Sequence, residues 1–190
     1  MSASPYAVTP LAPFPEVLLI QCKVFGDTRG FFLESFNEKA FRGATGVQLP
    51  FVQDNHSRSA KGVLRGIHYQ LPPHAQGKLV RVAHGAVFDV VVDLRQSSST
   101  FGKWAGAELN DSDGRMLWIP PGFGHAFITL EDGTDFLYKT TDYYAPESEG
   151  SVAWNDPTIG IRWPEAFVRN AVLSEKDQAA PPLKTAKLFD

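Results

Sequence analysis

The sequence predicts an all-β fold, a jelly roll or a related barrel with short peripheral helices. Short runs rich in β-branched and aromatic residues follow one another through the middle of the chain. In AVFDVVVDLR (86–95), Phe88, Val90 and Val92 share one face of a strand by its period of two. Turn signals such as Asp113-Gly114 recur at the spacing of a sandwich or barrel. No repeat or linker interrupts the series, so the 190 residues are expected to form a single domain.

The first elements are predicted from local signals. VLLIQCKVF (17–25) is a strand candidate, and Gly26-Asp27 turns the chain into a second strand at FFLESF (31–36). Asn37 is the expected N-cap of a short helix over 38–42 that ends at Gly43. The later strand candidates are 51–59, 63–70, 78–83, 86–95, 100–109, 114–119, 124–130 and 134–144.

The two ends of the chain differ from this β-rich middle. Residues 1–15 carry four prolines and few periodic apolar positions, so we expect an arm beside the jelly-roll core of 16–155. Residues 156–190 contain Asp156-Pro157 and Pro181-Pro182 and are expected to form an irregular extension with short helices.

Composition excludes several classes of partner. The net charge of −3 provides no general attraction to nucleic acid or membranes, so an anionic ligand must be held by local cations. The chain has one cysteine, which excludes an intramolecular disulfide framework and suits a reducing compartment. Neither a signal-peptide pattern nor a long apolar run occurs, and we expect a cytoplasmic protein.

The stretch VLRGIHYQLPPHAQGK (63–78) concentrates groups that could transfer protons. It holds Arg65, His68 and Lys78, a cation for an anionic ligand, an imidazole and an ammonium. A regular strand would turn Arg65 and His68 to opposite faces, but Gly66 between them indicates a bulge that would bring both to the barrel mouth. The alternatives are that His68 is a structural barrel histidine and Lys78 a solvated edge residue.

Two later motifs add candidates. IPPGFGHAF (119–127) is a rigid loop that leads to His125, and Tyr138, Tyr143 and Tyr144 surround Lys139. A histidine at a barrel rim can be structural, and tyrosines of β-proteins are more often packing residues than acids. Spacing alone does not select one of these tyrosines as catalytic.

The histidines do not match a metal site. The usual cupin ligand pattern, His-x-His followed by a Glu and a later His, would require histidine at position 70, where this chain has Gln70. His68 and His125 alone are too few ligands for a stable catalytic metal. The site is therefore predicted to contain no metal.

The ordered motifs of the chain together resemble the dTDP-4-dehydrorhamnose 3,5-epimerase family of the cupin superfamily. The resemblance covers nearly the whole chain except the first fifteen or so residues and the tail. The motifs that carry it are Asp27-x-Arg29-Gly30-Phe31-Phe32, QDNHSRS (53–59), VLRGIHYQ (63–70), QGKLVRV (76–82), FDVVVDLR (88–95), IPPGFGHAF (119–127), YKTTDYY (138–144) and WNDP (154–157).

The resemblance implies a cupin-like jelly-roll homodimer that epimerises C3 and C5 of a dTDP-linked 4-keto-6-deoxy sugar through an enolate, without a cofactor. It makes His68 the general base and Asp177, in Ser-Glu-Lys-Asp, the group that orients it. It implies that Lys78 stabilises the enolate oxygen and that Tyr138 is the acid that reprotonates the sugar from the opposite face. The substrate-binding positions that it implies are Arg29, Phe31, Glu34, Gln53, Asn55, Arg65, His125 and Tyr144.

Other functions stay open from the residues alone. A mono-functional epimerase that inverts only C3 or only C5, or a ketoisomerase, would share the substrate and most of the site. A non-catalytic sugar-nucleotide binder could dispense with His68, Tyr138 and Asp177, all of which are present. A metal-dependent cupin oxygenase is disfavoured by Gln70.

Overall fold

The computed structural model describes residues 4–190 and shows an all-β jelly roll with short peripheral helices, as predicted. The strands are β1 (Tyr6–Leu11), β2 (Phe14–Cys22), β3 (Val24–Asp27), β4 (Gly30–Leu33), β5 (Gln53–Ser59), β6 (Leu64–Gln70), β7 (Lys78–His84), β8 (Ala86–Asp93), β9 (Trp104–Asn110), β10 (Arg115–Ile119), β11 (Phe123–Thr129), β12 (Thr134–Thr140) and β13 (Glu149–Ser151). The α-helices of this part of the chain are α1 (Glu38–Thr45), α2 (Glu165–Val168) and α3 (Glu175–Gln178), and Pro146–Ser148 form one turn of 3-10 helix.

The strands form two main antiparallel sheets. A six-stranded sheet has the order β1-β2-β10-β7-β12-β5, and a five-stranded sheet has the order β13-β6-β11-β8-β9. Strands β3 and β4 pair with each other as a separate hairpin. The main core contains apolar side chains from both sheets, among them Phe14, Val80, Val91, Phe127 and Phe136.

The predicted alternation of strand β8 is confirmed and shows how the layers are arranged. Val87 and Val91 point into the space between the sheets, whereas Val90 and Val92 pack on the outer side of the five-stranded sheet. That outer side is covered by the C-terminal part of the chain, including Phe189. Because both faces of strand β8 are buried, apolar side chains occur on both faces and not only on every second residue.

The N-terminal residues differ from the predicted arm. Strand β1 pairs antiparallel with β2 as an edge of the six-stranded sheet, Tyr6 is buried, and Phe14 packs edge-to-face on Phe123 with ring centroids 5.1 Å apart. Proline is tolerated on an edge strand because the missing N–H need not join a ladder, so Pro10 does not prevent pairing. Residues 1–3 of the predicted arm lie outside the described residues.

Helix α1 begins as predicted but ends later. Asn37 caps its first turn, with Oδ1 accepting from the Ala40 N–H at 3.0 Å. The expected end at Gly43 was wrong, because the helix continues to Thr45 and Gly46 takes the left-handed conformation of the C-cap at φ 74°. An interior glycine costs only about 1 kcal/mol, and the burial of Phe41 on this helix outweighs that cost.

The C-terminal extension carries short helices, as predicted, and is anchored on the five-stranded sheet. The Tyr69 hydroxyl donates to the Lys187 carbonyl at 2.6 Å, and the Leu183 N–H donates to Asp156 Oδ2 at 2.8 Å. The first bond ties the extension to strand β6, and the second joins two parts of the extension to each other. Among residues 4–190, none of the helices is long and apolar enough to cross a membrane.

Candidate active site

The bulge predicted at Gly66 is present in strand β6. Opposite strand β11, Arg65 pairs with Phe127 and His68 with His125, so three steps on β6 match two on β11. Gly66 has φ +112°, and a Cβ there would lie 2.5 Å from the His125 carbonyl oxygen. The extra residue turns both Arg65 and His68 away from the outer core and towards the six-stranded sheet.

His68 forms a dyad with Asp177 from helix α3. Its Nε2 lies 2.7 Å from Asp177 Oδ1, which also accepts from the Gly66 N–H at 3.2 Å. Asp177 Oδ2 accepts from the Ser174 hydroxyl at 2.7 Å. Burial raises the pKa of the Asp177 carboxyl, but the hydrogen bonds from His68 and Ser174 outweigh it, and that pKa is lowered. The carboxylate is therefore ionised at neutral pH and directs Nδ1 of His68 towards the barrel interior.

Lys78 lies next to the dyad at the start of strand β7. Its Nζ donates to the His68 carbonyl at 3.4 Å. Val80 and Val82, which follow on the same face, belong to the core between the sheets, so Lys78 also points inward. Removal from water lowers the pKa of Lys78 to about 8, against the opposing charges of Asp89 and Glu149. The ammonium therefore remains mostly protonated at neutral pH.

His125 is held deeper in the barrel by a carboxylate that the sequence prediction did not select. Its Nε2 lies 2.9 and 3.0 Å from the two oxygens of Asp89, which is fully buried. Burial raises the pKa of Asp89, and the His125 contact opposes that rise. The His125 ring stacks on Phe136 at 5.9 Å. The strand period puts Asp89 on the same face as Val91 of the core between the sheets, and a carboxylate among core valines was the sequence signal available for it.

Tyr138 stands on the opposite wall of the barrel, in strand β12. It pairs with Asn55 of β5 and Val80 of β7 and packs against the core between the sheets. Burial raises the pKa of Tyr138, with the Arg65 charge opposing and the Glu149 charge adding to the shift. The phenol is therefore protonated at neutral pH. Strand β6 with His68 belongs to the five-stranded sheet and β12 to the six-stranded sheet, so the two side chains come from facing sheets.

The predicted polar residues of strand β5 lie at the same end of the barrel. Gln53 starts β5, and its partner Thr140 ends β12 and pairs with Lys78. We call this end the mouth. Gln53 donates to Asn55 Oδ1 at 3.0 Å and accepts from the Tyr144 N–H at 3.0 Å. The buried Asn55 Nδ2 finds no hydrogen-bond partner among residues 4–190 and so remains a donor for a ligand.

Two further predicted residues lie at the surface, Tyr144 at the mouth and Arg65 at the other end of strand β5, beside Ser59. Arg65 is exposed, and its guanidinium donates to Ser59 Oγ at 3.1 and 3.2 Å. Tyr144 is 57% exposed, and its hydroxyl donates to Glu149 Oε2 at 3.2 Å. Glu149 also forms an ion pair with Lys176, next to Asp177 on helix α3. The sequence prediction missed Glu149.

Arg29, Phe31 and Glu34 are not brought to this site within the chain. The first two lie on the β3–β4 hairpin, which joins neither main sheet, and Glu34 follows it. The Arg29 guanidinium is 88% exposed and pairs with Asp27, and Phe31 is 60% exposed. Glu34 accepts from Asn37 Nδ2 at 3.4 Å.

Gln70, at the position where the cupin metal pattern has histidine, is committed to the protein backbone. Its Nε2 donates to the carbonyls of His74 and Tyr143, and its Oε1 accepts from the Ala145 N–H. Within residues 4–190 no group of three or more His, Cys, Asp or Glu side chains is arranged to hold a metal ion.

Comparisons with known proteins point to one family. Residues 12–185 match the family model described as dTDP-4-dehydrorhamnose 3,5-epimerase. The enzyme of that name from Salmonella typhimurium is 56% identical over 176 residues, which cover 93% of this chain and 95% of the relative. Its counterpart from Pseudomonas aeruginosa is 53% identical over 176 residues, or 92% of this chain and 95% of the relative.

Solved structures agree with these relatives. The dTDP-6-deoxy-D-glucose-3,5-epimerase of Legionella pneumophila, in complex with dTDP-4-keto-L-rhamnose, superposes with a TM-score of 0.89 at 48% identity. The match covers 95% of this chain and 94% of the Legionella chain. A 3'-monoepimerase from Streptomyces bikiniensis, in complex with dTDP-quinovose, gives a TM-score of 0.85 at 37% identity, with 93% of this chain and 87% of the Streptomyces chain covered.

Proposed function

The chain belongs to the dTDP-4-dehydrorhamnose 3,5-epimerase family, and from this premise we propose a mechanism with His68 as base and Tyr138 as acid. The protein is an isomerase that converts dTDP-4-dehydro-6-deoxy-D-glucose to dTDP-4-dehydro-L-rhamnose in dTDP-L-rhamnose biosynthesis. The observation that carries the mechanism is the His68–Asp177 dyad on one wall of the barrel with Tyr138 on the facing sheet.

His68 removes the protons. The C4 ketone acidifies the hydrogens on both C3 and C5, so one base next to one carbonyl can serve both centres. Because Asp177 occupies Nε2, the Nδ1 lone pair of the neutral imidazole faces the substrate. When the ring takes a proton, the nearby carboxylate stabilises the imidazolium without being protonated itself.

Lys78 and the buried polar groups beside it stabilise the enolate. The negative charge that develops on O4 is the main obstacle to proton removal. The Lys78 ammonium sits beside the dyad in a space largely closed to water, where a fixed positive charge acts more strongly than in solution. His125, fixed by Asp89, contacts the sugar from deeper in the barrel.

Tyr138 returns a proton from the other face of the sugar. A proton returned by His68 would restore the original configuration, so inversion needs a donor on the opposite side. Tyr138 lies on the facing sheet and keeps its proton at neutral pH because burial raises its pKa. A tyrosine donates efficiently to a carbanion-like carbon within reach.

Strand β5 and the mouth bind the rest of the substrate. Arg65, beside Ser59, supplies the cation for the diphosphate, and Gln53 and Asn55 lie on the same face of strand β5 as Ser59, with the free Asn55 Nδ2 as a donor. The ring of Tyr144 contacts the nucleotide at the outer edge. No cofactor takes part, because neither proton transfer changes an oxidation state. The single cysteine, Cys22, suits the cytoplasm as the compartment.

The enzyme acts as a homodimer in which the hairpin residues Arg29 and Phe31, followed by Glu34, reach the partner's nucleotide site. Phe25, Phe31 and Phe32 are 53%, 60% and 70% exposed on a hairpin outside both sheets. An exposed aromatic cluster of this kind is typical of an interface. Arg29 at its tip offers a charge to an anion, since its pairing with Asp27 is solvent-exposed and weak.

Mixing two inactive variants tests the exchange of hairpins. Arg29→Ala and His68→Asn are each expected to have low activity, whereas their mixture should regain activity after subunit exchange. One site of the hybrid combines an intact His68 with an intact hairpin from the other subunit. The test measures turnover before and after exchange. A mixture that is no more active than its components would contradict a shared site.

Removal of metal ions should leave the enzyme active. Gln70 replaces a histidine of the cupin pattern, and both ends of its amide are bound to backbone groups. We expect full turnover after exhaustive chelation, with elemental composition measured on the same sample. Loss of activity on chelation that one added metal restores would contradict a metal-free mechanism.

Product analysis tests the reaction itself. NMR of the product from dTDP-4-dehydro-6-deoxy-D-glucose is expected to show inverted configurations at both C3 and C5. Inversion at one centre alone would identify a 3- or 5-epimerase of single action. A product whose keto group has moved from C4 to another carbon would instead identify a ketoisomerase.

A further inference from the structure

One segment of the chain crosses the mouth of the barrel. Residues 141–148 run from the end of strand β12 in the six-stranded sheet to the start of β13 in the five-stranded sheet. They include Tyr143 and Tyr144, which are 63% and 57% exposed. We call residues 141–148 the crossing segment. Exposed side chains of this kind depend on their backbone for position, because little packing fixes them.

Gln70 holds the crossing segment from the five-stranded sheet. Its Nε2 donates to the Tyr143 carbonyl at 3.1 Å and to the His74 carbonyl at 2.7 Å, while Oε1 accepts from the Ala145 N–H at 2.9 Å. The side chain is only 4% exposed. Both amide hydrogens and the carbonyl oxygen are thus used, and each bond ends on backbone of a loop at the mouth.

Gln53 holds the same segment from the six-stranded sheet. Its Oε1 accepts from the Tyr144 N–H at 3.0 Å, between the two residues that Gln70 binds. Backbone groups of three consecutive residues, Tyr143 to Ala145, are therefore bound by two glutamine amides that belong to different sheets. We infer that Gln70 is a positioning residue, which with Gln53 fixes the crossing segment so that Tyr144 meets the nucleotide.

The positioning role explains why residue 70 has an amide side chain although it is buried. A buried amide costs free energy unless it is fully bonded, and an apolar side chain could fill the same volume. Glutamine gives two donors and one acceptor, which match two carbonyls and one N–H. Glutamate would place a carboxylate against those two carbonyl oxygens. The inference rests on the proposed contact of Tyr144 with the nucleotide.

A double-mutant cycle on dTDP binding tests the role. Tyr144→Ala and Gln70→Met are each expected to raise the Kd for dTDP about tenfold, since the first removes the ring that contacts the nucleotide and the second releases the backbone that positions it. The double variant should bind no more weakly than Tyr144→Ala within about twofold, because Gln70 acts through Tyr144. Gln48→Met is the matched control at an exposed glutamine and should bind dTDP like the wild type.

The same titrations decide the result. Wild-type dTDP affinity in a folded Gln70→Met variant, or additive losses in the double variant, would overturn the positioning role. Wild-type affinity in Tyr144→Ala would overturn it together with the nucleotide contact of Tyr144, while product analysis still tests the epimerase reaction separately. If Gln70→Met does not fold, Gln70→Glu, which keeps the acceptor for the Ala145 N–H and loses both donors, carries the same cycle with the same expected non-additivity.

Discussion

Replacement of His68 by asparagine is expected to lower turnover by about a thousandfold, the usual size of a lost general base. Asparagine is a smaller polar side chain with no basic nitrogen at neutral pH, and Asp177 keeps its hydrogen bonds from Gly66 and Ser174. The variant should bind dTDP with nearly wild-type affinity, since the proposed mechanism places His68 at the sugar and not at the nucleotide. Turnover and dTDP binding are measured on the same preparation.

Asp177→Asn is the matched comparison for this variant. It keeps a hydrogen-bonding group beside Nε2 but removes the charge that stabilises the imidazolium. We expect a smaller loss of turnover than for His68→Asn, because in the proposed mechanism Asp177 orients the base and does not take the proton. An equal or larger loss in a folded Asp177→Asn protein would mean that the two roles are assigned wrongly.

Tyr138→Phe is expected to reduce formation of inverted product by about a hundredfold, within the range of a lost general acid. Phenylalanine keeps the ring packed against the core and removes only the hydroxyl. Proton removal by His68 should continue, so the variant becomes an exchange catalyst that rarely inverts. The product is followed by NMR, which separates inverted from retained configuration.

Tyr143→Phe is the control for this change. Tyr143 is an exposed tyrosine close in sequence, and the proposed chemistry gives its hydroxyl no part. It should invert at the wild-type rate. Near wild-type inversion by Tyr138→Phe would remove Tyr138 as the acid and leave Tyr144 or a bound water as the candidate donor.

Local patterns predicted the fold and one essential detail of the site. The alternation in strand β8 and the cap at Asn37 depend on neighbours in sequence, and both were readable. Gly66 indicated the bulge for the same reason, because only a local irregularity could turn Arg65 and His68 to one side. The wrong helix end at Gly43 shows the limit, since the packing of Phe41 decided it.

Long-range contacts were not readable from spacing. Asp177 meets His68 across 109 positions, and only the family resemblance pointed to it. Glu149 became visible only when strand β13 was placed beside β6, and the histidine partner of Asp89 only when β8 was placed beside β11. Ser174 was recognisable in principle, because a serine three residues before an acid suggests an N-cap, yet its bond to the Asp177 carboxylate also depends on the side-chain conformation within α3.

The proposed mechanism requires that a base and an acid act from opposite walls of the barrel. Its most direct test measures deuterium incorporation from D₂O at C3 and C5 by mass spectrometry. The stereochemistry of the product is measured by NMR on the same sample. The wild type is expected to incorporate deuterium and invert both centres, His68→Asn to do neither, and Tyr138→Phe to incorporate deuterium with little inversion. Substantial incorporation by His68→Asn would contradict the assignment of the base. Parallel loss of incorporation and inversion in Tyr138→Phe would contradict the separate acid.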